Sequence, residues 1–458
     1  MKIVILGAGQ VGSALVESLI SEKIDLVVID SHSKRLSDLS ERFDIATVTG
    51  HAAHPSTLRE AGIEDADILV AVTGSDEINM MACQIAHTLY NTPTKICRIR
   101  STNYAEEKRL FDDAAIPVDV IISPEELVTQ FITGLLEYPG TLQVINFADG
   151  KAQLVAIRAQ AGDKFIGENL YDIKKMTPKQ DVRVAAVFRD GRSLEPKRTT
   201  EIEPEDEVFY IAAAKNIRPV MQELGQLSRP YHRIMIAGGG GFGLSLALAI
   251  ENKYSVKIIE QDQDRANYLS ETLSKSMVLH GSASNSDILV AENIDTIDVF
   301  IALTSDDEAN IMSSLLAKKL GARKVIALIA NPAYVDLIQG VNIDIAFAPQ
   351  IITIGSLLKH VRRGDMAAVH SLRRGAAEAL EIVAHGDSRS SKVVGRRLDE
   401  IACPEGVRFG AIIRNESEVI IAHKNIVIEP NDHVIIFLAD KNQIPAVEAL
   451  FQVGLGFF

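Results

Sequence analysis

The chain has 458 residues, of which 47% are hydrophobic and 24% charged, and its formal net charge is −14 at pH 7. This composition can bury a sizeable core and excludes a disordered chain. The acidic excess argues against nucleic acid or anionic lipid as the main partner, because both would repel the chain. At about 150 residues per domain, the length predicts three domains. The other simple division is into two equal halves, and the pattern of elements favours it.

Cysteine usage and apolar runs indicate where such a chain resides. Cys83, Cys97 and Cys403 form no C-x-x-C pair and have no histidine at a metal-ligand spacing. We therefore expect no disulfide framework, no metal site and a reducing compartment. The apolar run Met1–Leu6 is too short for a signal peptide. The uncharged run Ile234–Ile250 is short for a membrane span and rich in glycine, so it predicts a strand and a buried helix instead.

The first part of the chain alternates between strand and helix patterns. Short β-branched runs predict strands at Lys2–Leu6, Leu26–Ile29, Ile45–Val48, Ile68–Val72 and Lys95–Arg100. Helical spacing predicts intervening helices, notably at 11–20, Ile78–Leu89 and Glu125–Leu136. Continuous apolar strands that alternate with helices are typical of a parallel sheet covered on both faces.

The segment 142–212 differs, since its short strands are separated by turns. An E-P-x-D turn at Glu203–Asp206 precedes a strand at Val208–Ile211 and a helix at Ile217–Leu224. After a linker at Gln226–Arg233, both patterns recur. The second set of predicted elements comprises strands at Ile234–Ala237, Val256–Ile259, Val299–Leu303 and Val325–Ile329, then a turn-rich segment at 369–439 with its own E-P-x-D turn, a strand at Val434–Leu438 and a helix at Ile444–Phe451.

An internal repeat explains this recurrence. The glycine motif Gly7–Gly12 recurs as Gly238–Gly243 at an offset of 231. At the same offset, Gly50, Leu58, Asp67, Thr73, Asp76, Glu77, Asn79 and Met81 match Gly281, Leu289, Asp298, Thr304, Asp307, Glu308, Asn310 and Met312. We therefore predict a tandem duplication with two Rossmann-like, doubly wound parallel-sheet domains, each followed by a small α+β domain. The predicted boundaries are 1–138, 139–226, 227–365 and 366–458.

The glycine motifs predict dinucleotide binding. In G-x-G-x-x-G the first glycine permits a tight turn, the second admits a pyrophosphate and the third packs the helix against the strand. Asp30 ends the second strand after Gly12, where a carboxylate can bind ribose hydroxyls, and Glu260 holds the corresponding place after Gly243. Because a carboxylate repels a 2′-phosphate, the pattern favours NAD(H) over NADP(H).

Further polar residues lie where later strands end. Thr73 follows the fourth strand and is placed to bond ribose, while Ser75 or Asp76 is expected to cap the next helix. Arg98 and Arg100 alternate at the end of the fifth strand, so we expect them on opposite faces, one of them near a phosphate. His51 and His54 lie in a loop and lack a spaced partner ligand. A basic cluster, expected to be a solvated helix end, comprises Lys359, Arg362, Arg363, Arg373 and Arg374.

No nucleophile elbow, zinc-protease helix or Walker loop occurs in the sequence. Two classes of function therefore stay open. A regulatory nucleotide sensor is favoured, and the alternative is an NAD-dependent dehydrogenase, which would normally pair its dinucleotide domain with a domain carrying an acid–base group.

Taken together, these motifs resemble a family of regulatory subunits of bacterial Trk-type potassium-uptake systems, built from tandem RCK (regulator of potassium conductance) domains. The resemblance rests on Gly7–Gly12 with Asp30, Gly50-His51, the segment 58–79, Arg98-Ile99-Arg100 and the second copy. It implies a non-enzymatic, cytoplasmic protein that is peripheral to the inner membrane and forms a ring-shaped homo-oligomer, expected to be a tetramer. The resemblance implies that the partner is the integral-membrane potassium-translocating subunit of the Trk type. It also implies that NAD(H) is the ligand and that ATP and ADP are further effectors.

The resemblance also assigns site residues. The first nucleotide would contact Gly7, Ala8, Gly9, Gln10, Val11, Gly12, Asp30, His51, Thr73, Gly74 and Arg98. In the second copy the matching set is Gly238, Gly239, Gly240, Gly241, Phe242, Gly243, Glu260 and Thr304. Alignment through Tyr104 and Tyr334 places Leu328 and Ala330 opposite the two arginines. The second site therefore lacks phosphate-neutralising charge, and we expect weaker or different binding there.

Overall fold

The fold consists of four sheets in the order large, small, large, small. The computed structural model describes residues 1–20, 22, 24–112, 115–177, 180–226, 228–331, 334, 338, 343–362, 365–373, 376–415 and 417–453. The predicted fold class, a tandem repeat of a Rossmann-like domain and a small α+β domain, is confirmed. Four sheets replace the three domains expected from length, while the boundaries after residues 138, 226 and 365 stay predictions.

The first large domain is a six-stranded parallel sheet in the order β3-β2-β1-β4-β5-β6. Its strands are β1 (Lys2–Leu6), β2 (Asp25–Asp30), β3 (Ala46–Thr49), β4 (Ile68–Ala71), β5 (Thr94–Arg98) and β6 (Val120–Ile122). Its helices are α1 (Gln10–Leu19), α2 (Ser33–Ser40), α3 (Pro55–Glu60), α4 (Asp76–Tyr90), α5 (Thr102–Ala105) and α6 (Pro124–Glu137). Because the winding reverses between β1 and β4, a crevice opens at the carboxyl ends of these strands.

The second large domain repeats this sheet in the order β14-β13-β12-β15-β16-β17. Its strands are β12 (Arg233–Ala237), β13 (Ser255–Glu260), β14 (Met277–His280), β15 (Val299–Ala302), β16 (Lys324–Leu328) and β17 (Ile345–Phe347). Its helices are α9 (Gly241–Ile250), α10 (Gln263–Thr272), α11 (Ser286–Ala291), α12 (Asp307–Lys319) and α13 (Pro349–Val361). The apolar run 234–250 thus forms a strand and a helix, as predicted. In the described ranges, no helix is both long and apolar enough to cross a bilayer.

The small domains are antiparallel five-stranded sheets of the same topology, in the orders β10-β9-β11-β8-β7 and β18-β19-β22-β20-β21. The first contains β7 (Thr141–Phe147), β8 (Ala152–Arg158), α7 (Leu170–Met176), β9 (Val182–Arg189), β10 (Arg192–Leu194), β11 (Glu207–Ala213) and α8 (Ala214–Glu223). The second contains β18 (Met366–Leu372), β19 (Ala377–Val383), β20 (Val407–Arg414), β21 (Glu418–Ile421), β22 (His433–Leu438) and α14 (Ile444–Phe451). In both, the aspartate of the E-P-x-D turn is buried and paired with an arginine, Asp206 with Arg189 and Asp432 with Arg414.

The two halves exchange helices. Helix α6, which ends the first large domain, packs against the glycine-loop helix α9 of the second, and α13 packs reciprocally against α1. Val128 and Ile132 share one apolar cluster with Leu246, and Leu15 shares another with Leu357. Each glycine-loop helix therefore has one face buried by the opposite half, so the position of each loop depends on both halves.

The prediction of a solvated basic cluster is wrong at Arg362. Its buried side chain donates hydrogen bonds to Oε1 of Glu22 at 3.0 Å and to Oε2 of Glu378 at 2.6 Å. The basic residue Arg373 pairs with Glu207 of the first small domain at 2.9 Å. Arg363 and Arg374 lie outside the described residues. Arg362 and Arg373 thus form ion pairs between domains, because acidic side chains of neighbouring domains lie next to them.

Candidate functional site

The first glycine loop connects β1 to α1. Gly7 has φ of +106°, a conformation that favours glycine. A Cβ at Gly12 would collide with the carbonyl oxygen of Gly7, so the third glycine of the motif permits close packing of helix and strand. Around Gly9, in contrast, a Cβ would meet nothing within 4 Å. The backbone here is thus open to the approach of a ligand.

Asp30 ends β2 beside this loop, and its side chain is 7% exposed. Its Oδ2 accepts the backbone N–H of Ala8 at 2.7 Å, and its Oδ1 accepts that of His32 at 2.8 Å. Burial raises the pKa of Asp30, but these hydrogen bonds and Arg35, 3.8 Å away, outweigh burial and lower its pKa. The group is therefore a carboxylate, and its oxygens retain lone pairs that can accept a ribose hydroxyl.

Thr73 and Gly74 follow β4 across the crevice from the loop. The Thr73 hydroxyl donates to Oδ1 of Asn79 at 2.6 Å, and its oxygen accepts the N–H of Ser75 at 3.4 Å, which leaves one lone pair as a further acceptor. Asn79 also donates from Nδ2 to the carbonyl oxygen of Arg98 at 3.0 Å, tying β4 to β5. Ser75 caps α4, as predicted, by accepting the N–H of Ile78.

Arg98 is the half-buried cation of this site. Burial and the nearby Arg100 lower its pKa, and its Nε finds no hydrogen-bond partner among the described residues. Arg100 lies beyond the end of β5, donates to the carbonyl oxygen of Gly74 and approaches Asp76 to 3.8 Å. The expectation that the two arginines point to opposite faces is wrong: both line the crevice. Residues two apart in an extended chain lie on the same face, so this outcome is what the spacing of Arg98 and Arg100 requires.

His51 lines the same crevice from the loop after β3. Its ring stacks on that of His54, with the centroids 4.4 Å apart. Within the described ranges, no group of three or more His, Cys, Asp or Glu residues is arranged to hold a metal ion.

The second half reproduces most of this geometry. Oε2 of Glu260 accepts the N–H of Gly239 at 2.7 Å, as Asp30 does from Ala8. Thr304 donates to Asn310 at 2.7 Å, and Asn310 in turn donates to the carbonyl oxygen of Leu328 at 2.9 Å. This last bond matches Asn79 with Arg98 and supports the alignment of Leu328 with Arg98. The second half thus holds a neutral side chain where the first half has its cation.

A single cleft of about 910 Å³ joins the two halves. From the first half it is lined by the predicted residues Gly7, Gly9, Gln10, Val11, Asp30, His51, Thr73, Gly74 and Arg98, and from the second half by Gly240, Gly241, Phe242 and Thr304. The remaining predicted residues, Ala8, Gly12, Gly238, Gly239, Gly243 and Glu260, are not among its described lining. Gly12 and Gly243 shape their loops, whereas Ala8, Gly239 and Glu260 take part in the loop-anchoring hydrogen bonds.

The sequence interpretation missed three residues of this region. Glu125 and Gln350 are each the second residue of a helix, in α6 and α13, and both are buried with one side-chain oxygen unpartnered among the described residues. Burial raises the pKa of Glu125, against the attraction of Arg98 and Arg100. The third is Asn79, whose match with Asn310 in the repeat was the available signal.

The residues present suit a dinucleotide: an open glycine loop, a carboxylate at the ribose position and an arginine Nε without a partner among the described residues. These features define a tandem Rossmann-fold protein with dinucleotide-type loops facing a shared cleft. The TrkA-N domain family model matches residues 3–124 and 234–349, and the TrkA-C domain model matches 388–452.

Known relatives match this chain over its full length. The chain is 54% identical to the Trk system potassium uptake protein TrkA of Halomonas elongata, with 100% of both chains covered. It is also 54% identical to the protein of the same name from Vibrio alginolyticus, with 99% of each covered. The solved GsuK channel bound to NAD shares the fold, with a TM-score of 0.61 and 17% identity over 98% of this chain and 79% of that one. The chain belongs to the TrkA family of Trk-system potassium-uptake proteins.

Proposed function

We propose that this chain is a nucleotide-sensing regulatory subunit that gates an integral-membrane potassium-translocating protein of the Trk type. The observation that carries the proposal is the shared cleft: residues of both glycine loops line one cavity. A ligand held there contacts both halves, so its binding free energy depends on how the halves are placed. Such dependence is what a ligand needs to shift a conformational equilibrium.

In this proposal NAD(H) binds the first half. The N-terminal end of α1 faces the phosphates, Asp30 accepts ribose hydroxyls and Arg98 neutralises phosphate charge. The GsuK structure with NAD supports this choice of ligand through its shared fold. ATP and ADP are further candidate effectors for the same cleft. For the second half, Leu328 in place of an arginine supports weaker or different binding.

The energy required of each site is modest. Shifting a pore from 1:99 to 99:1 requires about 5.5 kcal/mol of differential binding. If four chains act on one pore, each contributes about 1.4 kcal/mol. One altered charge-assisted hydrogen bond is of that size. The proposed ring of four chains, bound to the membrane subunit at the cytoplasmic face, would meet this requirement.

Potassium flux through vesicles that contain the membrane subunit tests the function. We expect flux to depend on addition of this chain and to change between NAD+, NADH, ATP and ADP. A chain that leaves flux unchanged under every nucleotide would overturn the proposal. Sustained NADH oxidation with a panel of hydroxy or keto acids would instead establish the dehydrogenase alternative.

A further inference from the structure

The two contacts between glycine-loop helices and exchanged helices are related by the internal repeat but differ in chemistry. We call α6 with α9 the first seam and α13 with α1 the second seam. Pro124 and Pro349 both open their helices, so α6 and α13 correspond at an offset of 225. Helices α1 and α9, which have the same length, correspond at the offset of 231. Equivalent positions of the two seams can therefore be compared directly.

At the outer end of each seam, an ion pair joins the exchanged helix to the loop after the glycine-loop helix. In the first seam Glu137 pairs with Lys253 at 2.7 Å, and in the second Arg362 pairs with Glu22 at 3.0 Å. Glu137 is equivalent to Arg362 and Lys253 to Glu22, so the two pairs have opposite polarity. If the first large domain paired with a second copy of itself, Glu137 would face Glu22. A like pair of second domains would set Arg362 against Lys253.

In the middle of each seam, the difference is between polar and apolar contact. Oγ1 of Thr129 lies 3.0 Å from Oγ of Ser245 in the first seam. The equivalent residues of the second seam, Ile354 and Ala14, belong to one apolar cluster. Pairing of like domains would set Thr129 against Ala14 and Ile354 against Ser245. Each hydroxyl would then lose its partner inside an interface, which costs free energy.

At the cleft end, the two seams also differ in composition. A Cβ on Gly241 would lie 3.2 Å from Oε1 of Glu125. The first half has Gln10 at the position of Gly241, and the second half has Gln350 at that of Glu125. In a pair of like first domains, Glu125 would meet the side chain of Gln10. The native second seam, however, sets Gln350 against Gln10, and Gln350 has nearly the same size as Glu125, so this end does not distinguish the two pairings. The ion pairs and the middle contacts both favour pairing of unlike domains.

We infer that these seams form a pairing code, by which each large domain binds the other large domain and rejects a second copy of itself. A domain selects its partner by the difference in binding free energy between the right pairing and the wrong pairing. Like-charge contacts make the wrong pairing less favourable and so increase this difference. The inference does not depend on nucleotide binding or on the membrane partner. It predicts that a second chain can supply a large domain to this interface only as the opposite half.

Cysteine reporters in the full chain test the code, in a background where Cys83→Ala, Cys97→Ala and Cys403→Ser remove the native thiols, because unfolding exposes all three to disulfide exchange. Thr129→Cys with Ser245→Cys reports the native seam by forming a disulfide within one chain. Thr129→Cys with Ala14→Cys reports pairing of like domains, because these positions meet only between two chains. Both are unfolded and refolded at high protein concentration in a glutathione buffer, and covalent dimers are measured on a non-reducing gel. We expect the native reporter to close and the like-domain reporter to yield few covalent dimers.

The decisive variant is Glu137→Arg with Lys253→Glu, which keeps an ion pair in the first seam but gives both seams the same polarity. It removes the like-charge contacts from both wrong pairings. We expect the yield of like-domain dimers to rise by about threefold or more, because the variant replaces repulsive contacts by attractive ones and even a surface ion pair can contribute that much. Lys253→Arg, which keeps the sign, should leave that yield at its original level.

Two outcomes would overturn the code. One is a like-domain reporter that closes as efficiently as the native reporter in the unmodified background. The other is an unchanged like-domain yield in the polarity variant while its native reporter still closes, since closure shows that this variant folds.

Discussion

The backbone N–H of Ala8 donates a 2.7 Å hydrogen bond to Oδ2 of Asp30. Gly239 makes the equivalent bond to Glu260 at the same distance. In both halves the acid at the end of the second strand therefore fixes the conformation of the glycine loop. Only Asp30 also belongs to the described lining of the cleft. The acid at this position thus holds the glycine loop in both halves, and in the first half it also lines the cleft.

We expect Asp30→Ala to weaken NADH binding by roughly tenfold to a hundredfold, because it removes a charged acceptor for ribose and releases the loop. Titration calorimetry on the full chain measures this. Glu260→Ala is the matched control, since it releases the second loop without removing a carboxylate from the described cleft lining. Equal losses of NADH affinity in the two variants would show that Asp30 acts only by holding its loop.

Arg98→Leu gives the first half the residue that the second half has at this position. Binding of NADH should fall by about tenfold or more, because a charge-assisted hydrogen bond to phosphate is lost. Without ligand, the melting temperature should stay equal or rise, since a half-buried cation whose Nε has no described partner is removed. Retained NADH affinity would contradict the assignment of Arg98 to the phosphates. The reverse change, Leu328→Arg, tests whether the second half gains affinity.

Much of the fold follows from the sequence because local patterns and the repeat agree. The apolar run at Ile3–Leu6 is fully buried in β1, as a strand covered on both faces requires. The predicted helix at Ile444–Phe451 has the bounds seen in the structure. The glycine spacing likewise locates the first loop, because only glycine permits the packing of Gly12 against Gly7.

The cleft was less predictable, because it depends on how the halves pack. Glu125 lies in the first turn of a helix whose sequence pattern is ordinary, and only the exchange of helices brings it to Gly241 of the other half. Arg362 was expected in solvent because basic residues at helix ends usually are. Its burial depends on Glu22 of the first large domain and on Glu378 of the second small domain. No local pattern reports contacts between segments so far apart in the chain.

Breaking the pair at Arg362 should be costly. Arg362→Gln leaves Glu22 buried without its cation and Glu378 with only Lys441, 3.8 Å away, and we expect about 3–5 kcal/mol lower free energy of unfolding. Burial already raises the pKa of Glu22 despite the arginine. The control is Glu137→Gln in the equivalent, exposed pair with Lys253, which should cost less than about 1 kcal/mol. Denaturant unfolding measures the free energy of unfolding of both variants. Similar losses of this free energy would show that burial does not make one ion pair contribute more than the other.

From the surroundings of His370 in β18 we predict how the free energy of unfolding changes as the pH falls. Its ring meets Phe147 edge-on at 5.1 Å, and its Nε2 has no hydrogen-bond partner in the described part of the chain. Burial, aided by the nearby charge of Lys359, lowers its pKa from 6.5 to about 4. As the pH falls below 6.5, the unfolded chain therefore takes up a proton that the folded chain refuses, and stability decreases. Between pH 7 and pH 5 this amounts to about 2 kcal/mol for one such group. Denaturant unfolding at the two pH values should show a smaller difference for His370→Asn than for the unmodified chain, and identical differences would exclude His370 as the source.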